Sequence, residues 1–248
     1  MSSALALALV SAAVLGFRHG FDYDHIAAIS DITSIETSRR RAMGMGLFYV
    51  LGHAATVALL GGAVIFFQKS LPARIDFWAE RAVGVTLVLL GLYVLGSLFY
   101  SKSEVTPRSR AAIMIAGFRW MAWRLRKLFD AGAADQPPAG NGNYTRRVVL
   151  LVGVIHGLGA ETPSQLLLFL LAANLGGLAR GFLGLGVFLL GLITMNTLMT
   201  ASAVGLFGAS AARPRLLRVL TACTAAYSVI VGSIFLFGSA NFLPPLGS

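Results

Sequence analysis

The chain has 248 residues, of which 56% are hydrophobic and 12% are charged, and its mean hydropathy is +0.77. A soluble domain carries roughly 25% charged residues, so the composition excludes an ordinary soluble protein and predicts contact with a lipid bilayer. The net charge of +10 does not predict a nucleic-acid partner, because the basic residues lie between hydrophobic runs, where they indicate membrane orientation.

The hydrophobic runs predict an all-α transmembrane bundle of about six helices, since crossing the hydrocarbon core takes roughly 20 residues. In chain order the predicted spans are 4–34, 43–67, 80–100, 147–172, 181–207 and 216–238. The first span is longer than a bilayer requires, so it must tilt, protrude or break, and Gly20 is its weakest point. No basic residue precedes Arg18, so we expect residues 4–17 to be a retained helix rather than a cleavable signal peptide.

The Lys and Arg residues lie mostly on one side of the predicted membrane. Fifteen of the 20 lie in the connections that follow the first, third and fifth spans, and four lie on the opposite side. The positive-inside rule then places these three connections in the cytoplasm and both termini outside. We expect an integral protein of the cytoplasmic (inner) membrane.

The basic connection at 101–146 divides the chain into a first three-helix half, 1–100, and a second, 147–248. Within the connection, residues 111–129 combine basic and apolar side chains, which predicts an amphipathic helix on the anionic inner leaflet. The alternative is that this helix packs against a cytosolic partner. Residues 130–145 have the composition of a flexible linker.

An odd number of helices in each half means that any internal repeat would be inverted. Aligning His19-Gly20 with His156-Gly157 places Asp24 opposite Glu161. Secondary transporters often pair inverted halves around a site near the membrane midplane. The alignment therefore predicts an inverted repeat of two three-helix halves.

Four ionisable side chains lie within seven residues of the first span, namely His19, Asp22, Asp24 and His25. Each charge at the bilayer centre costs about 2.5–3.5 kcal/mol, so the group must satisfy itself or bind an ion. On an unbroken helix the spacing places His19, Asp22 and His25 on one broad face, with Asp24 directed elsewhere, as a partner of a ligand or towards Arg18. Imidazole with carboxylate favours nickel, cobalt, zinc or iron; a buried ion-pair network is the alternative.

Histidine also occurs at His53, in the second span, where a helix–helix hydrogen bond is as common as a ligand role. The fourth span contains His156, Glu161, Thr162 and Gln165 around Pro163. The proline should break the helix and expose carbonyl groups for an ion; a kinked packing helix with a protonated Glu161 is the alternative.

Asn196, in the fifth span, lines the pathway or packs between helices.

Enzyme signatures such as H-E-x-x-H, G-x-S-x-G and a phosphate-binding loop do not occur in the sequence, so we expect no enzyme and no ATP bound to this chain.

The segment RHGFDYDHIAAI resembles the signature H-x4-D-H of the NiCoT family of nickel/cobalt transporters, typically written RHAFDADHIAAI. LGHAATV, LGAETPSQL and LITMNTLMT are similar to three further family motifs and follow in the same order. The resemblance implies uptake of Ni²⁺ or Co²⁺ as a transported substrate rather than a cofactor, and a metal role for His19, Asp24 and His25.

The second half departs from the family pattern. Where the family has Asp, Glu and Asp, this chain has Glu161, Gln165 and Asn196. Two alternatives to uptake follow. One is efflux, or transport of another substrate, on the same scaffold. The other is a membrane metalloenzyme in which the His/Asp group activates water.

Overall fold

The structure, a computed structural model, describes residues 3–36, 38–69, 73–99, 146–159, 176–238 and 243. These residues form seven helices and no strand. The helices are α1 (Ser3–His19), α2 (Tyr23–Ser34), α3 (Arg39–Phe67), α4 (Ala73–Phe99), α5 (Arg146–His156), α6 (Leu178–Ser210) and α7 (Pro214–Leu236). The predicted helical membrane bundle is confirmed.

Four of the described helices are long and apolar enough to cross a membrane. These spans lie in α3, α4, α6 and α7, and the bent pair α1 and α2 makes a fifth if it is counted as one span. The helix α5 has 11 residues, fewer than a span needs. Residues 160–175 and the amphipathic segment 111–129 lie outside the described residues, so the count of six and the domain boundaries stay predictions.

The first predicted span breaks at Gly20, as its length and this glycine predicted. The helix α1 ends at His19, and α2 begins at Tyr23 after a bend of 52°. Asp22 occupies the N-cap position with an extended backbone, although its side chain forms no capping hydrogen bond; aspartate is a favoured residue at this position. The face expected for an unbroken helix therefore does not exist, and His19 and His25 approach each other from two helices.

The helix α5 covers only the first part of the fourth predicted span. It stops at His156, whereas the predicted span runs to residue 172, and the predicted break at Pro163 lies outside the described residues. The amides of Leu158 and Gly159 bond to carbonyls three residues back, a tight turn that ends an α-helix. At this turn the chain lies close to α3, since a Cβ on Gly157 would lie 2.6 Å from the Cβ of Thr56.

The helix α2 lies at the centre of the bundle and packs against α3, α4, α5, α6 and α7. Eight of its 12 residues are buried, including Asp24, His25 and Asp31. A short central helix that carries buried ionisable groups is where a membrane protein places an ion site, because the surrounding helices exclude both lipid and water.

Glycines bring the backbones of α1 and α6 into contact. A Cβ on Gly16 would collide with the carbonyl oxygen of Phe188, and a Cβ on Gly191 would collide with the carbonyl oxygen of Ala13. Small residues permit this close approach between membrane helices.

The helices α5 and α3 repeat this contact. A Cβ on Gly153 would collide with the carbonyl oxygen of Tyr49, and a Cβ on Gly52 would collide with that of Leu150. In each of the four helices, the glycine follows the residue that offers its carbonyl to the facing helix by three positions. These pairs are Ala13 and Gly16 in α1, Phe188 and Gly191 in α6, Leu150 and Gly153 in α5, and Tyr49 and Gly52 in α3. The two helix pairs are therefore packed in the same way.

Candidate metal centre

Three histidines from three helices converge in the interior. His19 ends α1, His25 lies in the first turn of α2, and His53 lies within α3. The Nε2 atom of His53 is 3.2 Å from the Nε2 of His19 and 3.3 Å from the Nε2 of His25. One ligand atom from each lies within 4.8 Å of the others, and all three side chains are buried.

The two separations from His53 match those of nitrogens around a metal ion. Metal–imidazole bonds of 2.0–2.1 Å in a tetrahedral site place the ligand nitrogens roughly 3.3 Å apart. The arrangement can hold a divalent transition metal with three imidazole ligands, which leaves one position free for water or a further protein group.

The carboxylates adjoin the opposite edges of two of these rings. Asp24 Oδ1 lies 2.8 Å from the Nδ1 of His25, and Asp22 Oδ2 lies 3.0 Å from the Nδ1 of His19. The hydrogen bond between His25 and Asp24 favours the tautomer with the proton on the Nδ1 of His25, so the lone pair of its Nε2 faces the centre. The Nδ1 of His19 lies near Asp22 but forms no hydrogen bond with the described residues. The metal roles predicted for Asp22 and Asp24 stay predictions.

The histidine cluster cannot satisfy itself with hydrogen bonds. His53 carries at most one proton on Nε2, yet this atom faces two nitrogens whose lone pairs point towards it. Its Nδ1 has no hydrogen-bond partner among the described residues. Unsatisfied lone pairs in a buried site are costly, and a cation at the centre would relieve all three.

His156 lies behind the cluster, near Asp24. Its Nδ1 is 3.6 Å from Asp24 Oδ2 and accepts a hydrogen bond from the Tyr49 hydroxyl at 3.1 Å. Its Nε2 donates to the Thr86 hydroxyl at 2.8 Å, because that hydroxyl itself donates to the carbonyl of Val83. Both ring nitrogens are thus engaged, and in this arrangement His156 connects the two halves of the chain rather than facing the centre.

The remaining predicted pathway residues fall into two groups. Asn196 is fully buried on α6, and neither of its amide atoms has a hydrogen-bond partner among the described residues. Its neighbour Met195 lies against Gly20, at the break in the first span. Glu161, Thr162 and Gln165 lie outside the described residues.

Sequence reasoning missed two contacts of the site, Tyr49 and Thr86. Tyr49 precedes His53 by one helical turn, so the i, i+4 spacing placed the two on the same face of α3. No comparable signal existed for Thr86, whose partner His156 comes from a distant helix. Whether His53 belongs to the cluster also depended on the fold, because a single membrane histidine can be a ligand or a packing residue until its neighbours are known.

Comparisons with known proteins show similarity to metal transport proteins. The chain is 30% identical to the cobalt transport protein NhlF of Rhodococcus rhodochrous over 184 residues, which cover 66% of this chain and 49% of that protein. It is 27% identical to the nickel transporter NixA of Staphylococcus aureus over 196 residues, 71% of this chain and 53% of that protein.

A third relative is the urease accessory protein UreH of a Bacillus strain, at 26% identity over 159 residues, 62% of this chain and 58% of that protein. The chain spans about half the length of the curated relatives it matches. No protein-family model matches the chain, and no solved structure matches it.

Proposed function

We propose that the chain is a permease related to the nickel/cobalt transporters and that it takes up Ni²⁺ or Co²⁺ across the cytoplasmic membrane, a proposal that its 30% identity to a cobalt transport protein supports. The observation that carries the proposal is the convergence of His19, His25 and His53, with Nε2 separations of 3.2 and 3.3 Å in the interior of a membrane bundle. Imidazole nitrogens suit nickel, cobalt and zinc, whereas magnesium and calcium prefer oxygen.

The aspartates supply the charge that a dication needs. Neutral imidazoles carry none, and an unpaired charge in a low-dielectric interior is strongly disfavoured. Asp22 and Asp24 lie directly behind His19 and His25, so two negative charges balance the two positive charges of the ion. We assign them the role of orienting the rings and neutralising the ion.

Transport requires that the ion leave again, so the site must open. The ion exchanges its water for the three imidazoles, and it is released when the helices that carry them separate. His19 and His25 flank the break at Gly20, while His53 lies on the continuous helix α3. A change in the angle at the break would therefore separate His19 from His25, which weakens the site without unfolding a helix.

The matched packing of α1 with α6 and of α5 with α3 supports an inverted repeat of the two halves. In that repeat His156 is the counterpart of His19, and each sits beside an aromatic ring of the opposite half: His19 lies 5.8 Å from Phe188, and His156 lies 5.5 Å from Tyr49, ring centre to ring centre. Inverted halves that rock about a central site give alternating access.

The orientation is part of the proposal. The basic connections place the α2–α3 turn in the cytoplasm by the positive-inside rule. An inward membrane potential then favours entry of a dication by roughly 2.3 kcal/mol per charge per 100 mV. Efflux, or another substrate, on the same scaffold would leave the histidine cluster intact but reverse or remove metal accumulation.

The test is uptake of radioactive cobalt and nickel into proteoliposomes, with zinc and manganese as competitors. Wild-type protein should accumulate both ions, and His25→Ala should abolish accumulation. Thr194→Ala is the matched control, because this exposed residue on α6 bonds only within its own helix, to the carbonyl of Leu190. Unchanged uptake by His25→Ala would contradict the proposal.

A further inference from the structure

A second ionisable group lies buried in α2, away from the histidine cluster. Asp31 follows His25 by six residues, about 9 Å along the helix axis, towards the end that precedes the basic turn. The side chain is completely buried, and neither carboxylate oxygen has a hydrogen-bond partner among the described residues. The metal site does not use it.

The surroundings of Asp31 are hydroxyl groups and apolar side chains. Of the described residues, Thr224 and Ser228 of α7 interact with its carboxyl, although neither hydroxyl is aligned for a hydrogen bond. The other helices packed against α2 present no ionisable or charged side chain to it within the described part of the chain. Tyr227, beside Ser228, donates instead to the carbonyl of Tyr23.

Burial, rather than the hydroxyls, favours the carboxylic acid form of Asp31. The proton of the Thr224 hydroxyl already bonds to the carbonyl of Thr221 at 3.1 Å, so only its lone pairs remain for Asp31. The Ser228 hydroxyl is fully buried and has no partner among the described residues, so it can donate to a carboxylate or accept from an acid. Two neutral hydroxyls only partly offset the cost of burying a carboxylate, and an acidic O–H would find an acceptor in either hydroxyl oxygen.

The other carboxylate at this end of α2 shows the contrast. Glu36 lies 2.8 Å from the guanidinium of Arg41. Burial raises the pKa of Glu36, and the neighbouring Arg41 partly offsets that shift. Asp31 has no such counter-charge in the described structure, and an unpaired charge inside a bilayer costs about 2.5–3.5 kcal/mol.

The groups around Asp31 determine which cation can neutralise its charge. Asp31 belongs to no cluster of metal-ligating side chains in the described chain, which disfavours a transition metal. Calcium takes six to eight oxygen ligands, and the carboxyl with two hydroxyls supplies fewer. A proton needs only one acceptor beside the acid, and the pocket provides it.

We propose that Asp31 is a proton-binding site that couples proton movement to metal uptake. The inference rests on the proposed function. One arrangement holds both the converged histidines and the unpaired carboxyl, so the proton and the metal travel in the same direction. Asp31 takes its proton from water on the side where the metal enters, and it returns the proton to water on the other side when the interface between α2 and α7 opens.

The experiment measures cobalt uptake and lumenal pH together in proteoliposomes with the membrane potential held at zero. The variants are Asp31→Asn, which keeps the shape of the protonated acid, and Glu36→Gln, the matched control. In wild type and Glu36→Gln, cobalt entry should acidify the lumen. In Asp31→Asn, acidification should fall to the level of protein-free liposomes, while cobalt binding to detergent-solubilised protein is unchanged.

An equal ratio of protons to cobalt in Asp31→Asn would overturn the inference and leave uptake standing, whereas absence of cobalt uptake by wild type would contradict the proposed function itself. Infrared spectroscopy tests the bound proton without transport. Wild-type protein should show the C=O band of a buried carboxylic acid that Asp31→Asn lacks. A wild-type spectrum without that band would overturn the inference.

Discussion

The Nε2 atoms of His25 and His53 lie 3.3 Å apart, although one residue begins a short central helix and the other lies within a long transmembrane helix. The contact depends on the bend after His19, which turns α2 into the bundle. His19 then reaches the same point from α1, at 3.2 Å from His53. One histidine that the sequence left ambiguous thus becomes the centre of the site.

If His53 is a ligand, its loss should weaken metal binding as strongly as the loss of a motif histidine. We expect His53→Ala and His25→Ala each to lower cobalt affinity by more than tenfold, since either change removes one of three imidazoles. Equilibrium dialysis of purified protein with Co²⁺ measures this. A His53→Ala variant with wild-type affinity would restrict the site to α1 and α2.

The role of Asp24 as an orienting group makes a graded prediction. Asp24→Asn keeps the size and an acceptor oxygen but removes the charge behind His25, so affinity should fall roughly 10–100-fold, the usual range for partners of ligating histidines. The same dialysis measures it. An Asp24→Asn variant that loses all binding, as His25→Ala does, would instead identify Asp24 as a direct ligand.

His156 should matter more for stability than for affinity. His156→Phe leaves the Tyr49 hydroxyl without its partner, and an unsatisfied buried group costs about 1–3 kcal/mol. The Thr86 hydroxyl loses one hydrogen bond and keeps the one to the carbonyl of Val83. We expect a lower midpoint of thermal unfolding in detergent and a smaller loss of cobalt affinity than in His53→Ala. The reverse order would place His156 in the metal site.

The matched helix pairs predict that equivalent glycine substitutions in the two pairs reduce stability to a similar extent. Gly52→Val and Gly191→Val each place a side chain against a carbonyl oxygen of the facing helix, so each should destabilise the fold by about 1–3 kcal/mol or prevent folding. Gly44→Val and Gly186→Val are controls, because nothing lies within 4 Å of a Cβ at either position. Thermal unfolding in detergent compares the four, and tolerance at only one of the first two would argue against the repeat.

Protons should compete with the metal for the histidine cluster. An imidazolium has no lone pair for a metal, so cobalt binding should weaken as the pH is lowered. The fall should persist in Asp31→Asn, whose change lies outside the cluster. Dialysis over a descending series of pH values tests this. Binding that stays constant until the protein unfolds would contradict a histidine site.

Composition and periodicity were enough to predict the class of fold and the break in the first span. Hydropathy depends on local sequence, and each membrane helix satisfies its own backbone hydrogen bonds, so helices such as α3 and α6 can be predicted without knowing their neighbours. Gly20 was likewise identifiable because the span exceeded the bilayer and a glycine lay within it. The end of α5 at His156 was not, since the sequence indicated a break at Pro163.

By itself, the sequence determined that this is a helical membrane protein with a costly group of histidines and aspartates in its first span, since these conclusions need only hydrophobicity and the cost of buried charge. Only the tertiary structure decided which residues face one another. Nitrogens in three helices meet within 4.8 Å because glycines let the backbones approach and the break redirects α2. It also decided that Asp24 lies behind His25 and that Asp31 lies apart from the cluster, since such distances depend on packing between helices rather than on spacing along one.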